Sequence, residues 1–172
     1  GNGEQLLMVH TSRRVPRPVP IADVSYHLAQ YNVARLLAPI DDPSIADFVD
    51  ALEPINRLAE ASPGFVWRHQ TAEGDSTALR PYDDDQVIIN FSVWTDADAL
   101  WEYTYKSDHV AVFRRRREWF ASHLDSHLVM WWIPAGHIPT VEEAAERLER
   151  LRANGPTPEA FTFRHRFEPP AS

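Results

Sequence analysis

Residues 92–120, SVWTDADALWEYTYKSDHVAVFRRRREWF, decide the fold. They read as a strand end, a short helix, a break near Lys106 and Ser107, and then a longer helix capped by Ser107. At about 100° per residue, His109, Phe113, Arg116 and Phe120 fall within roughly 60° of one another on that longer helix. Val112 and Trp119 flank them, while Arg114, Arg115 and Glu118 point away as solvent-facing residues do. The apolar stripe therefore contains an imidazole and a guanidinium. Burying a charge is costly unless it finds a partner or a cavity. The stripe either lies over a polar pocket or carries a structural ion pair.

Working outward, Val24 to Val33 alternates and is rich in β-formers, which predicts a first strand. Asp42 and Pro43 mark a helix start, and Ile45, Phe48, Val49, Leu52, Ile55, Leu58 and Ala59 continue it at helical spacing. Pro54 is expected to kink or split that helix. After the turn at Ser62, Pro63 and Gly64, a short strand is expected over 65–70. A polar loop over 71–85 and a strand over 86–94 follow. HLVMWWI, at 127–133, predicts another strand. Thr140 and Glu143 form a capping box that opens a charged helix ending at Gly155. Alternation of Phe161, Phe163, His165 and Phe167 predicts a last strand.

The first six elements run β-α-β-β-α-β, the ferredoxin-like plan. The expected fold is α+β: an antiparallel sheet with helices on one face, followed by a C-terminal helix–strand extension. The other sheet face would need a cover, most simply a second copy, giving a dimeric α+β barrel. The extension would then lengthen the sheet or reach the partner. Residues 1–22 form a proline-rich arm with Pro16, Pro18 and Pro20, and residues 23–172 a single domain.

Bulk properties narrow the function. The chain has 172 residues, 17 basic and 25 acidic, with a formal net charge of −8. An acidic chain is a poor ligand for phosphate backbones, so no nucleic-acid partner is expected. Zero cysteines exclude disulfides, thiol catalysis and thiolate metal sites. No run approaches the roughly 20 apolar residues that span a membrane, and 6–9 is too short for a signal-peptide core. A homodimer in the cytoplasm is the expectation. The glycines match neither GxGxxG nor GxxxxGK, which disfavours nucleotide cofactors.

Several segments resemble the domain-of-unknown-function family 3291: HLAQYNVAR at 27–35, SVW at 92–94, HVAVFRRRREWF at 109–120, WWIPAGHIPTVEEA at 131–144 and GPTPEAFTF at 155–163. The family is similar to the dimeric α+β barrel superfamily of antibiotic-biosynthesis monooxygenases, haem-degrading monooxygenases, polyketide cyclases and chlorite-dismutase-like haem proteins. Trp94, then Asp98, Ala99 and Leu100, then Ser107 to His109, follow the pattern of the monooxygenase branch. The resemblance implies a fold more firmly than an activity, because this fold hosts many chemistries.

The candidate catalytic residues are His109, Arg116 and His27. His109 suits a general base, its ordinary pKa lying close to neutrality; its structural alternative is a histidine bonded to backbone or carboxylate. Arg116 would hold an anionic oxygen, or else form an ion pair or reach out to solvent. His27 and Tyr31 share a strand face. They line the His109 pocket only if that face meets the helices, which would leave Gln30 and Asn32 on the other. Tyr31, Trp94, Tyr105, Phe113, Trp119 and Trp132 are candidates for binding a small hydrophobic or aromatic ligand, although aromatics are more often core. His123 and His127 have metal-like spacing without a supporting motif, so no metal is expected. His137 sits in a turn, as a cap, hinge or catalytic group.

These residues point to a monooxygenase-like enzyme without a cofactor, acting on an aromatic or polyketide-like substrate by proton abstraction. The alternatives are a cyclase or isomerase that uses no oxygen, or a non-catalytic dimer that binds a ligand or a haem with His109 as axial ligand.

Overall fold

The computed structural model describes residues 24–70, 84–122 and 127–171. The proline-rich arm, most of the 71–85 loop and His123 lie outside the described residues. Four strands, β1 Tyr26–Arg35, β2 Phe65–Arg68, β3 Val87–Trp94 and β4 Leu128–Pro134, form one antiparallel sheet in the order β2-β3-β1-β4. Helix α1, Ala46–Ala61, joins β1 to β2 and follows a 3-10 turn at Pro43–Ile45. Helices α2, Ala97–Lys106, α3, His109–Arg114, and α4, Arg116–Trp119, join β3 to β4. This is the ferredoxin-like arrangement expected from the element order. Helix α5, Val141–Asn154, is the addition.

The caps explain the helix ends. Asp42 accepts from the Ser44 amide, Asp96 from the Ala99 amide and Thr140 from the Glu143 amide, each satisfying a donor that its helix leaves open. Gly155 ends α5 at φ +70, where a glycine meets no Cβ penalty. Helix α1 runs through Pro54 without splitting.

Strand alternation sorts the core into two faces. Leu28, Gln30, Asn90, Ser92, Trp94 and Met130 share one face, by the registers Leu28–Trp94, Gln30–Ser92 and Gln30–Met130. Leu28, Trp94 and Met130 pack there with Ala59 of α1, Leu100 of α2 and Phe161. Ala29, Tyr31, Val33, Phe91, Val93, Val129 and Trp131 make the opposite face, packed against Val141, Ala144, Leu148 and Leu151 of α5. The reason to expect a second copy was an open apolar face, and α5 of the same chain covers it. The helix neither lengthens the sheet nor reaches away.

Two local expectations are corrected. The last strand expected over 161–167 is absent. Phe161 makes one bridge, exchanging both backbone hydrogen bonds with Met130, and Thr162 then turns back onto His165. The alternating phenylalanines instead pack irregularly: Phe161 and Phe167 beside Trp132, and Phe163 against Trp101 of α2. The long helix after Ser107 is also not continuous. It breaks at Arg115 (φ −89, ψ 3), whose guanidinium is held by Asp47 of α1 and by Glu118. Beyond the break, Trp119 drops into a third cluster with Leu36, Ile45, Phe48 and Ile88. One helical stripe becomes two short helices with different facings.

Candidate functional site

Among the described residues, the core holds two buried polar side chains, Gln30 at 4% and Ser92 at 7% exposure. They are neighbours across β1 and β3 on the face under α1 and α2. Gln30 Nε2 donates to Asn90 Oδ1 at 2.6 Å and to Ser92 Oγ at 2.8 Å. Trp94 Nε1 donates to the same Ser92 Oγ at 2.9 Å. A hydroxyl oxygen has two acceptor sites, and here both are used. The Ser92 O–H is therefore left as a donor. Asn90, exposed, ends the network at the rim.

This cluster borders a cavity of about 20 Å³, also lined by Asn56 and Ala59 of α1, Arg68 of β2, His69, Phe91, Trp94 and Tyr103 of α2. That is room for about one water or a molecule of its size. The ring of His69 stacks on Phe91, on the opposite sheet face. Tyr103 stacks on Trp94 at 5.0 Å and its hydroxyl reaches the Ile55 carbonyl at 3.4 Å. Burial pushes the Tyr103 hydroxyl far up, against an opposing pull from Arg68, so it stays protonated. Arg68 is largely buried, 13% exposed, and donates to Glu60 Oε1 at 2.7 Å.

His109 stands one layer behind this wall. Its ring lies 4.9 Å from Tyr103 and stacks with Phe113 at 6.2 Å. Ser107 Oγ accepts from the His109 amide and donates to the Tyr103 carbonyl, which seats the start of α3. His109 Nδ1 lies 3.0 Å from the Thr104 carbonyl. Only a protonated nitrogen can donate to a carbonyl, so Nδ1 carries the hydrogen and Nε2 the lone pair in the neutral ring. Burial lowers the His109 pKa, outweighing the opposite effect of the Thr104 bond. The imidazole is neutral near pH 7.

Of the candidate residues, the structure brings Trp94 and His109 to this region, joined through Tyr103. Arg116 is not at depth: it is exposed, its guanidinium 4.2 Å over the Phe113 ring and bonded to the Phe113 carbonyl at 3.0 Å. The break at Arg115 turns it out of the stripe. His27 and Tyr31 lie on the α5 face, away from His109; Tyr31 is fully buried edge-on to Phe91 at 5.5 Å. The helix-facing side of β1 carries Gln30 and Asn32 instead. Tyr105 and Phe113 belong to an outer aromatic row with Trp101 and Phe163. Trp119 is core, and Trp132 donates to the Phe167 carbonyl at 2.8 Å, tying down the C-terminal segment. His137 bonds the Glu143 carboxylate at 2.9 Å at the start of α5, whose N-cap is Thr140. A haem does not fit beside His109: its ring is sandwiched by Tyr103 and Phe113, and a pocket for a ligand of that size needs several hundred Å³.

Sequence reasoning missed Arg68, Asn90 and Ser92. A signal was present: Gln30, Asn90 and Ser92 are polar residues in the centres of otherwise apolar strands, at positions of like parity.

A family model for the domain of unknown function DUF3291 matches residues 27–172. The chain belongs to the DUF3291 family. No curated protein matches it by sequence. Among solved structures, this DUF3291 chain is similar to SnoaB, a cofactor-independent oxygenase from Streptomyces nogalater. That likeness has 20% identity and a TM-score of 0.44, and covers 68% of this chain and 97% of SnoaB. PA3566 from Pseudomonas aeruginosa is similar at 14% identity and a TM-score of 0.42, over 66% of this chain and 98% of that one. No helix among the described residues is long and apolar enough to cross a membrane.

Proposed function

We propose that this chain is an enzyme of small-molecule chemistry, a cofactor-independent monooxygenase acting on an aromatic or polyketide-like substrate. One observation carries this reading: the core places its two buried polar side chains together, and one of them, Ser92, lines a cavity the size of a small diatomic or a water. A core built only for stability gains nothing from such a cluster, because each polar group must be satisfied at a desolvation cost. In the reaction, the Tyr103 ring that separates His109 from the cavity swings aside, and neutral His109 takes a proton from a methylene acidified by a neighbouring carbonyl or ring. The carbanion then gives electrons to dioxygen held against Ser92, which Gln30 positions from behind. A peroxide forms at that carbon and loses water, so CH₂ plus O₂ becomes C=O plus H₂O. The Ser92 O–H donates to the developing oxygen charge.

Anthrone, which has such a methylene, tests this in an oxygen electrode. Equimolar oxygen uptake with ketone formation is expected, and His109→Ala should lower kcat by about a hundredfold or more. Unchanged turnover in that variant removes His109 from the mechanism. Turnover without oxygen uptake assigns the site to a cyclase or isomerase instead.

A further inference from the structure

Arg68 is shared by two cavities. The inner one is the polar cavity of about 20 Å³. The outer one is a groove of about 480 Å³ along the edge strand β2, lined by Glu60, Phe65, Val66, Trp67, Arg68 and Gln70. Among the described residues, no other side chain lines both. The groove is within the size range of pockets that hold drug-sized ligands, whereas the inner cavity holds one small molecule. Its apolar members, Phe65, Val66 and Trp67, offer surface to a flat ring.

The charge arrangement at the junction is unequal. Arg68 is 13% exposed and its partner Glu60, at the end of α1, is 42% exposed. A buried guanidinium needs an anion, while a half-exposed carboxylate is readily solvated if it leaves. An incoming carboxylate, phenolate or enolate oxygen can take the place of Glu60 with the same charge-assisted geometry. Glu60 then acts as an internal competitor that is given up to solvent.

We propose that the outer groove takes a planar aromatic acid or enolate, anchored on Arg68 in exchange for Glu60, with its reactive edge turned to the polar cavity. This deepens the function proposed above and rests on it, since it names the substrate as anionic and gives its route of entry.

Calorimetric titration with 2-naphthoate, and with neutral 2-naphthamide as control, tests the anchor. Naphthoate should bind and naphthamide should bind at least about tenfold more weakly, the range expected for losing a charge-assisted contact. Arg68→Gln should weaken naphthoate by a similar factor, and Arg68→Lys should recover part of it. Glu60→Gln, at an exposed helix end, should tighten naphthoate because the competitor is gone. Equal binding of the amide, no binding of naphthoate, or unchanged or weaker binding in Glu60→Gln overturns the proposal. Oxygen uptake with neutral anthrone together with equal binding of naphthoate and naphthamide would retain the proposed function and reject the anionic anchor, so the two can fail separately.

Discussion

Ser92 shows how one small side chain can hold a site together. Its oxygen accepts from Gln30 and from Trp94, so it fixes the amide of one strand and the indole of its own. In Ser92→Ala, Gln30 Nε2 keeps its bond to Asn90 Oδ1 while the Trp94 indole loses its acceptor, and one such orphaned group costs about 1–3 kcal/mol when buried. Urea denaturation should show a loss of about 1–3 kcal/mol, well above that of an exposed Ser→Ala change; a loss below 0.5 kcal/mol, roughly the surface-substitution range, would mean water replaces the hydroxyl freely. His109 carries a pH signature of opposite origin. Its folded pKa is below the ordinary 6.5, mainly through burial. As pH falls through 6.5, the unfolded chain takes up a proton that the folded chain resists, so stability drops on the acid side. His109→Gln should flatten the fall in stability between pH 7 and 5. An identical slope in both proteins would show that the ring is free to charge in place.

At the scale of elements, the turn from α1 to β2 decides how closely the helices approach the sheet. Gly64 has φ +82, and a Cβ there would lie 2.4 Å from the Ala99 Cβ and 2.7 Å from Thr95 Oγ1. Its carbonyl accepts from the Thr95 amide at 2.8 Å, which ties the turn to the start of α2. Gly64→Ala combines left-handed backbone strain with a clash against backbone-anchored atoms. A loss of about 2 kcal/mol or more is expected, and a lower thermal midpoint with it. The same substitution at Gly136, where nothing lies within 4 Å of the Cβ position, bears only the conformational part. Equal effects at the two glycines would show that the close approach to α2 has no energetic weight. The break at Arg115 works at this scale too. It separates His109, which stays beside Tyr103, from Arg116, which turns out to solvent.

At the scale of the whole molecule, α5 takes the place that an open-faced sheet would give to another chain. Leu148 and Ala144 are fully buried against the sheet, with Leu151 and Val141 nearly so. Its start is tied down by Glu143, which accepts from Trp131 Nε1 at 3.3 Å and bonds His137 at 2.9 Å. Burial alone would raise the Glu143 pKa, but these bonds outweigh it and hold the carboxyl below its usual range. Replacing both Leu148 and Leu151 by Asp should undock the helix and uncover Tyr31, Phe91 and Trp131. An apolar face of that kind drives association. Light scattering should then show a mass that rises with concentration in the double variant, more steeply than in the native chain. A variant that keeps the native mass at all concentrations would show that the face needs no cover.

The sequence by itself determined the ladder of elements. Period-two and period-3.6 patterns, the Asp42 and Thr140 caps and the Gly155 stop are local, and local physics placed them to within a few residues. It also marked His109 as a histidine at a helix start. Only the tertiary structure decided which face of β1 meets the helices. Alternation tells that His27 and Tyr31 lie together and that Gln30 and Asn32 lie together. It cannot tell which pair faces α1 and α2, because both faces of this sheet are covered and both read as apolar. Arg116 was misplaced because a helical wheel assumes one unbroken axis, and the Arg115–Asp47 ion pair that accompanies the break joins residues 68 positions apart. The final strand failed for a related reason. Alternating phenylalanines indicate a strand only if a partner edge pairs with all of them, and here β4 offers one bridge before Thr162 turns the chain onto α2. Arg68 and Ser92 became visible as a site only when packing set β2, β3 and α2 around one small cavity.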